Sequence, residues 1–178
     1  MKYKILFPVI SLIISFVILL IVSLGLNGIA QRKYQEKHLQ IMQILLPKST
    51  TFTLEEYTGD DVNIKSVYKS ETGYIIETGV YGYVDDIRMM IAVDLDGQCV
   101  GIMVVEMHET FGLGFKALKD HKFLSQFLGS STIMEVGDTI DAISGATVTS
   151  KAITKSVNSA ISYVTGSDID SGATEWGN

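Results

Sequence analysis

The chain has 178 residues, with 20 acidic against 14 basic side chains and a formal net charge of −6. That length allows one membrane element and one soluble domain, and the acidic balance argues against nucleic acid or an anionic membrane surface as the main partner. Cys99 is the single cysteine, which excludes an intrachain disulfide and any thiolate metal site or iron–sulfur cluster contributed by this chain alone.

Residues 5–31 carry no charge and are dominated by Ile, Leu, Val and Phe. A helix needs about 20 such residues to cross the hydrocarbon core, whereas a secretory apolar region is roughly 7–15 long. The run therefore predicts a retained anchor over a cleaved signal peptide, although Gly28-Ile-Ala30 has the small residues of a cleavage site. Ser11, Ser15 and Ser23 recur on one face, where their hydroxyls can bond the preceding turn or meet another helix. Pro8 falls in the first turn, where a missing N–H does least harm. Lys2 and Lys4 precede the run and Arg32, Lys33 and Lys37 follow it, so positive charge does not decide orientation.

Residues 31–46 continue as a helix with Leu39, Met42, Leu45 and Leu46 at helical spacing, stopped by Pro47. Residues 63–69, 73–84, 87–94 and 98–106 alternate and are rich in Val, Ile and Tyr, as strands are. Asp94-Leu-Asp96-Gly97 supplies a hairpin turn, so the expected sheet is antiparallel. Cys99 falls inside a strand as a small buried hydrophobe, and Tyr74, Tyr81 and Tyr83 read as core or sheet-face packing. The acidic pairs Glu55-Glu56, Asp60-Asp61 and Asp85-Asp86 sit beside turns and read as solvated surface, with no metal site expected.

Residues 115–128 predict an amphipathic helix with Phe115, Leu118, Phe123, Leu124, Phe127 and Leu128 on one side, ended by Gly129. A short extended passage over 132–143 leads to a second helix over 148–164, whose apolar stripe is Ile153, Val157, Ala160, Ile161 and Val164. The expected class is α+β: an anchor over 1–31, a helical stalk over 32–49, a soluble domain over 50–166 and a tail over 167–178.

One tetrapeptide, Ser-Gly-Ala-Thr, occurs twice, at residues 144–147 and 171–174. The first copy lies at the start of a predicted helix, whose first N–H groups lack intrahelical partners and favour an anion. A phosphate on Thr147 would be stabilised there. Gly145 and Ala146 keep the approach open, and Ser144, Thr149 or Ser150 offer hydroxyls to the N–H groups or the phosphate. Read alone, the tetrapeptide fits a plain helix start equally well.

Extended to Asp141-x-x-Ser144-Gly145-Ala146-Thr147-x-x-Ser150, the first copy resembles the flavinylation motif of membrane-anchored FMN-binding domains. The resemblance implies that a flavin transferase with Mg2+ moves the FMN phosphoryl group from FAD onto Thr147. Thr174 shares Asp168 and the tetrapeptide, but Gly177 replaces the closing hydroxyl and too few residues follow to form a helix. Thr174 therefore reads as a tail repeat.

His108-Glu109-Thr110-Phe111-Gly112-Leu113-Gly114 is similar to a block of the Rnf G-subunit family. Here His and Glu are adjacent and Phe111 stands where proline is usual. The resemblance implies that Glu109, Thr110 and Leu113 contact the flavin ring; a strand-to-helix turn with a solvated Glu109 is the plain alternative. A zinc peptidase helix would need a second His at position 112, which is Gly112.

The order of these features resembles the G-type flavin subunit of an Rnf ion-translocating complex. That implies a one-flavin relay between reduced ferredoxin and NAD+, with covalent FMN and membrane and iron–sulfur subunits as partners. It also implies a flavin transferase for maturation, a lipid bilayer around the anchor, and a domain on the extracytoplasmic side of the cell membrane. No dinucleotide fingerprint accompanies it, so the chain is not catalytically complete alone. The C-type flavin subunit of the Na+-translocating NADH:quinone reductase, or a stand-alone extracytoplasmic flavoprotein, shares the same motif.

Overall fold

The computed structural model describes residues 3–107 and 120–167; side chains are not described for residues 3–9, 11 and 22–32 of the first helix. Two compact units divide at Gln40. The first is the greater part of α1 (Tyr3–Leu45). Its described apolar side chains between Ile10 and Ile21 are exposed, Leu12 at 72% and Leu19 at 67%. Among the described residues no helix is long and apolar enough to cross a membrane. The charge-free run 5–31 extends beyond those described side chains on both sides.

The second unit is a five-stranded antiparallel meander in the order β1-β2-β3-β4-β5. Its strands are β1 (Thr53–Glu55), β2 (Ile64–Lys69), β3 (Gly73–Tyr81), β4 (Asp86–Asp94) and β5 (Cys99–Glu106). β-Branched residues and period-two alternation favour this arrangement, and the central strands β3 and β4 bury side chains on both faces. On one face Ile76, Val80, Ile87, Met89, Ile91 and Val93 pack under α2 (His121–Ser125) and α3 (Thr147–Thr165). On the other, Ile75, Met90 and Ala92 meet Ile41, Met42, Leu45 and Leu46 from the end of α1. Full burial of each such side chain contributes about 1.5–3 kcal/mol, so both faces are closed by apolar contact.

Asp94 and Gly97 close the β4–β5 turn as expected. The Asp94 N–H donates to the Gln98 carbonyl oxygen (2.9 Å) and the Gly97 N–H to the Asp94 carbonyl oxygen (3.1 Å), with Gly97 at φ +82°. Several other expectations are corrected. β1 has no alternating pattern of its own and exists as a short edge paired through Thr53–Lys69 and Glu55–Val67. The helix expected over 115–128 is, in its described part, only α2, started by the Asp120 carboxylate, which accepts from the N–H groups of Lys122 and Phe123. Phe123 and Phe127 are buried as expected, but Leu128 is half exposed because turns replace helix after Ser125 and point it outward. Tyr74 packs on the core, whereas Tyr81 and Tyr83 are exposed, since β3 ends at Tyr81 and the chain turns into solvent. Residues 108–119 and 168–178 lie outside the described residues, and with them Thr174.

α3 runs antiparallel to β3. Tyr163 near its end stacks edge-on with Tyr74 at the start of β3 (centroids 5.9 Å apart), while Val148 and Ala152 near its start line a cleft with Val80 and Tyr81. β3 and β5 run in the same direction, each antiparallel to β4. The start of α3, the β3–β4 turn and the exit from β5 at Glu106 therefore share one end of the sheet. Cys99 is fully buried, and burial pushes its thiol up to about 12.

Candidate functional site

The segment leading to α3 is tied down from two sides. The Gln126 side chain accepts from the Asp141 N–H (2.8 Å) and donates to the Asp141 carbonyl oxygen (3.2 Å). Buried Asn158, from the middle of α3, does the same for Met134: the Met134 N–H donates to Asn158 Oδ1 (3.0 Å), and Asn158 Nδ2 donates to the Met134 carbonyl oxygen (2.8 Å). A side-chain amide can match a backbone amide group for group, so each residue clamps irregular chain that no ladder holds. Neither residue belongs to the motif. An Asn directly after Val157 of the apolar stripe was the signal available for Asn158.

Within the motif the residues divide by burial. Gly145 takes φ +81°, a left-handed conformation that glycine adopts at no steric cost. Ala146 is buried in the core, and its N–H donates to the Ile143 carbonyl oxygen (2.9 Å), so its smallness serves packing. Ser150 is fully buried: its hydroxyl donates to the Ala146 carbonyl oxygen (2.9 Å) and accepts from the Ile143 N–H (3.2 Å). The closing hydroxyl thus staples the loop to the first turn of α3. Thr149 is buried as well. Ser144 and Thr147 are exposed, and Thr147 is the first residue of α3. The N-cap residue, Ala146, makes no side-chain cap hydrogen bond, so leading N–H groups and the positive dipole end lie beside an exposed hydroxyl.

Beside Thr147 is a cleft of about 300 Å3, lined by Asn63, Val80, Tyr81 and Gly82 on one wall and Val148, Lys151, Ala152 and Lys155 on the other. Lys151 and Lys155 follow Thr147 at one and two helical turns, along roughly one face of α3. The Tyr81 hydroxyl donates to the Val84 carbonyl oxygen (2.7 Å), which fixes the ring against its own turn. The elements of both walls also carry a buried hydroxyl without a hydrogen-bond partner among the described residues, Thr78 on β3 and Ser156 on α3. An exposed hydroxyl, an uncapped helix start, two cations and an aromatic rim fit a phosphate-linked planar group. Glu109, Thr110 and Leu113 lie outside the described residues; the chain enters their segment from β5 at this same end of the sheet. Among the described residues no group of three or more His, Cys, Asp or Glu is arranged to hold a metal ion.

Residues 82–162 match the family model described as the FMN-binding domain. A relative from Acetobacterium woodii, the G component of its Na(+)-translocating ferredoxin:NAD(+) oxidoreductase complex, is 36% identical over 100 residues, covering 50% of this chain and 47% of its own. The G component of the proton-translocating ferredoxin:NAD(+) oxidoreductase complex of Clostridium ljungdahlii is 36% identical over 99 residues, covering 52% and 53%. The G component of the ion-translocating oxidoreductase complex of Methanosarcina acetivorans is 28% identical over 145 residues, covering 72% and 76%. The chain thus spans about half the length of the first two relatives. Among solved structures, Shewanella oneidensis NqrC aligns with a TM-score of 0.46 and 22% identity over 65% of this chain and 70% of that one, too slight a likeness to carry argument. The matched span takes in the β3–β4 turn, the cleft lysines and Thr147, and covers a little under half of the chain.

Proposed function

We propose that this chain is a membrane-anchored electron relay of an Rnf-type ferredoxin:NAD+ oxidoreductase coupled to ion translocation, carrying FMN in phosphoester linkage to Thr147. The observation that carries this reading is the burial pattern of the motif. Ser150 and Ala146 are committed to structure, and Thr147 is left exposed at an uncapped helix start. In the attachment step the Thr147 oxygen bonds to the FMN phosphorus of FAD, the diphosphate P–O bond breaks, AMP leaves, and the hydroxyl proton passes to solvent or to the transferase. The helix start favours the phosphodiester anion that results. Bound there, FMN supplies the redox chemistry; the protein positions it and tunes it. Ser144 and Gly145 give the modifying enzyme access, and Glu109, Thr110 and Leu113 meet the ring.

Residues 1–31 form the anchor in the bilayer, 32–49 the stalk, 50–166 the flavin domain and 167–178 a tail. The exposed apolar side chains between Ile10 and Ile21 support the anchor, because a contiguous apolar surface of that extent is unfavourable in water and neutral in hydrocarbon. The names of the relatives support membership of a multi-subunit ion-translocating oxidoreductase complex; its membrane and iron–sulfur subunits as partners follow from the resemblance to that family. An extracytoplasmic position for the flavin domain follows from the resemblance to that family. Intact mass and peptide mapping after co-expression with a flavin transferase test the site. The expected result is one FMN-sized adduct, lost in Thr147→Ala and kept in Thr174→Ala; the reverse pattern, or an unmodified chain, overturns it.

A further inference from the structure

The cleft between the β3–β4 turn and the first turns of α3 has no part in the motif, yet it begins where the motif ends. Val148 follows Thr147 directly, and Lys151 and Lys155 stand roughly 6 and 12 Å along the helix from it at about 1.5 Å per residue. That reach is comparable with a ribityl phosphate chain followed by the inner part of a flavin ring. Across the cleft, Tyr81 is 65% exposed, and its hydroxyl bond to the Val84 carbonyl oxygen keeps the ring on the rim. Asn63 closes the cleft floor, itself held by Asp61 (2.5 Å) and reaching Ser159 (3.4 Å).

Resting on the Thr147 attachment, we infer that this cleft seats the ribityl chain and pyrimidine edge of the flavin. Lys151 neutralises the phosphodiester, Lys155 faces the edge that gains charge on reduction, and Tyr81 lies against the ring. Bound FMN would supply a ring whose two-electron-reduced form carries negative charge at that edge. A cation at that edge favours the reduced form, so Lys155 raises the midpoint potential, acting through position and charge without exchanging a proton. The chain's own Lys151 is the closer partner of the phosphate, because it sits one turn from Thr147 on the same face.

The test uses the flavinylated full chain in lipid nanodiscs, with the potential read by spectroelectrochemistry and the attachment by intact mass. Lys155→Gln should weaken the preference for the reduced ring about tenfold, which is a fall of about 30 mV for a two-electron couple. Lys155→Arg should restore it, and Lys122→Gln, on α2 away from the cleft, should leave it unchanged. Tyr81→Leu should brighten flavin fluorescence several-fold, since a ring-stacked tyrosine quenches it, while Tyr81→Phe should remain dimmer than Tyr81→Leu. A fully flavinylated Lys155→Gln chain with wild-type potential overturns the inference and leaves Thr147 standing. Absence of the adduct in the wild-type chain overturns both.

Discussion

α1 and α3 break the ordinary partition of residues in opposite directions. Between Ile10 and Ile21, α1 exposes large apolar side chains, Phe16 at 63% among them. α3 buries Thr149, Ser150, Thr154, Ser156, Asn158 and Ser159, none more than 2% exposed. The first pattern fits the proposed bilayer anchor, because apolar side chains lose nothing in hydrocarbon. At Ser150, Thr154 and Asn158 the second is explained by local satisfaction, whereas the Ser156 hydroxyl has no partner among the described residues. Ser150, Thr154 and Thr165 donate to the Ala146, Ser150 and Ile161 carbonyl oxygens of their own helix, and Asn158 pairs with Met134. Small hydroxyl-bearing residues also let α3 lie close to the sheet, which sets the position of its first residue. One helix is thus shaped by where it sits, and the other by what it must hold at its end.

Charge placed on α1 is the strongest way to break that contrast. Val17→Asp with Ile21→Asp should cost about 5–7 kcal/mol in a bilayer, at roughly 2.5–3.5 kcal/mol per charge. The chain should then leave the membrane pellet on fractionation; a variant that stays there shows that residues 10–21 do not span. On α3 the corresponding change removes polarity. Asn158→Leu strips both partners from the Met134 amide and should destabilise the folded domain by about 3 kcal/mol in thermal or urea unfolding. Thr154→Val removes only a bond internal to the helix and should cost about 1 kcal/mol or less. Equal losses would mean that Asn158 clamps nothing.

Ser150→Ala is expected to have an intermediate effect with a specific consequence. It leaves the Ile143 N–H without its acceptor, a loss of about 1–2 kcal/mol. It also frees the loop before Thr147, so the rate of FMN addition should fall further than stability does, and Ser150→Thr should recover both. A variant that loses stability while modifying at the wild-type rate would separate the staple from the attachment site.

What the sequence made legible follows from the same contrast. Alternation and β-branched content located β2 to β5, and the Asp and Gly residues of 94–97 located the turn between β4 and β5. The helix beginning at Thr147 was equally plain from its apolar stripe. β1 escaped notice because an edge strand of three residues is specified by its neighbour's pairing groups. Tyr81 read as core because alternation reports only the period, and the strand ends at that residue. Lys151 and Lys155 carry no signal of their own in the sequence, because what distinguishes them is the β3–β4 turn opposite. The burial of Ser150 was likewise invisible, since the sequence offers a hydroxyl without saying which partner takes it.

The smallest expected effect lies at an exposed polar cluster, where solvent competes with every contact. Glu71 is held down to about 2 from an ordinary 4.5 by its own backbone amide first, then by the Thr50 and Thr51 hydroxyls. Thr50 and Thr51 Oγ1 each donate to its carboxylate at 2.8 Å, which clips the segment before β1 to the β2–β3 turn. A carboxylate lowered by folding adds stability that is fully present above about 4.5 and lost as pH falls towards about 2. The melting temperature should therefore decline through that window, and Glu71→Gln should flatten part of the decline while changing little at pH 7. Because the group is fully exposed, the change should be slight beside that of Asn158→Leu. An acid-side slope identical in Glu71→Gln and wild type would assign the decline to other carboxylates, and would leave the buried amides of α3 as the polar contacts on which the domain depends.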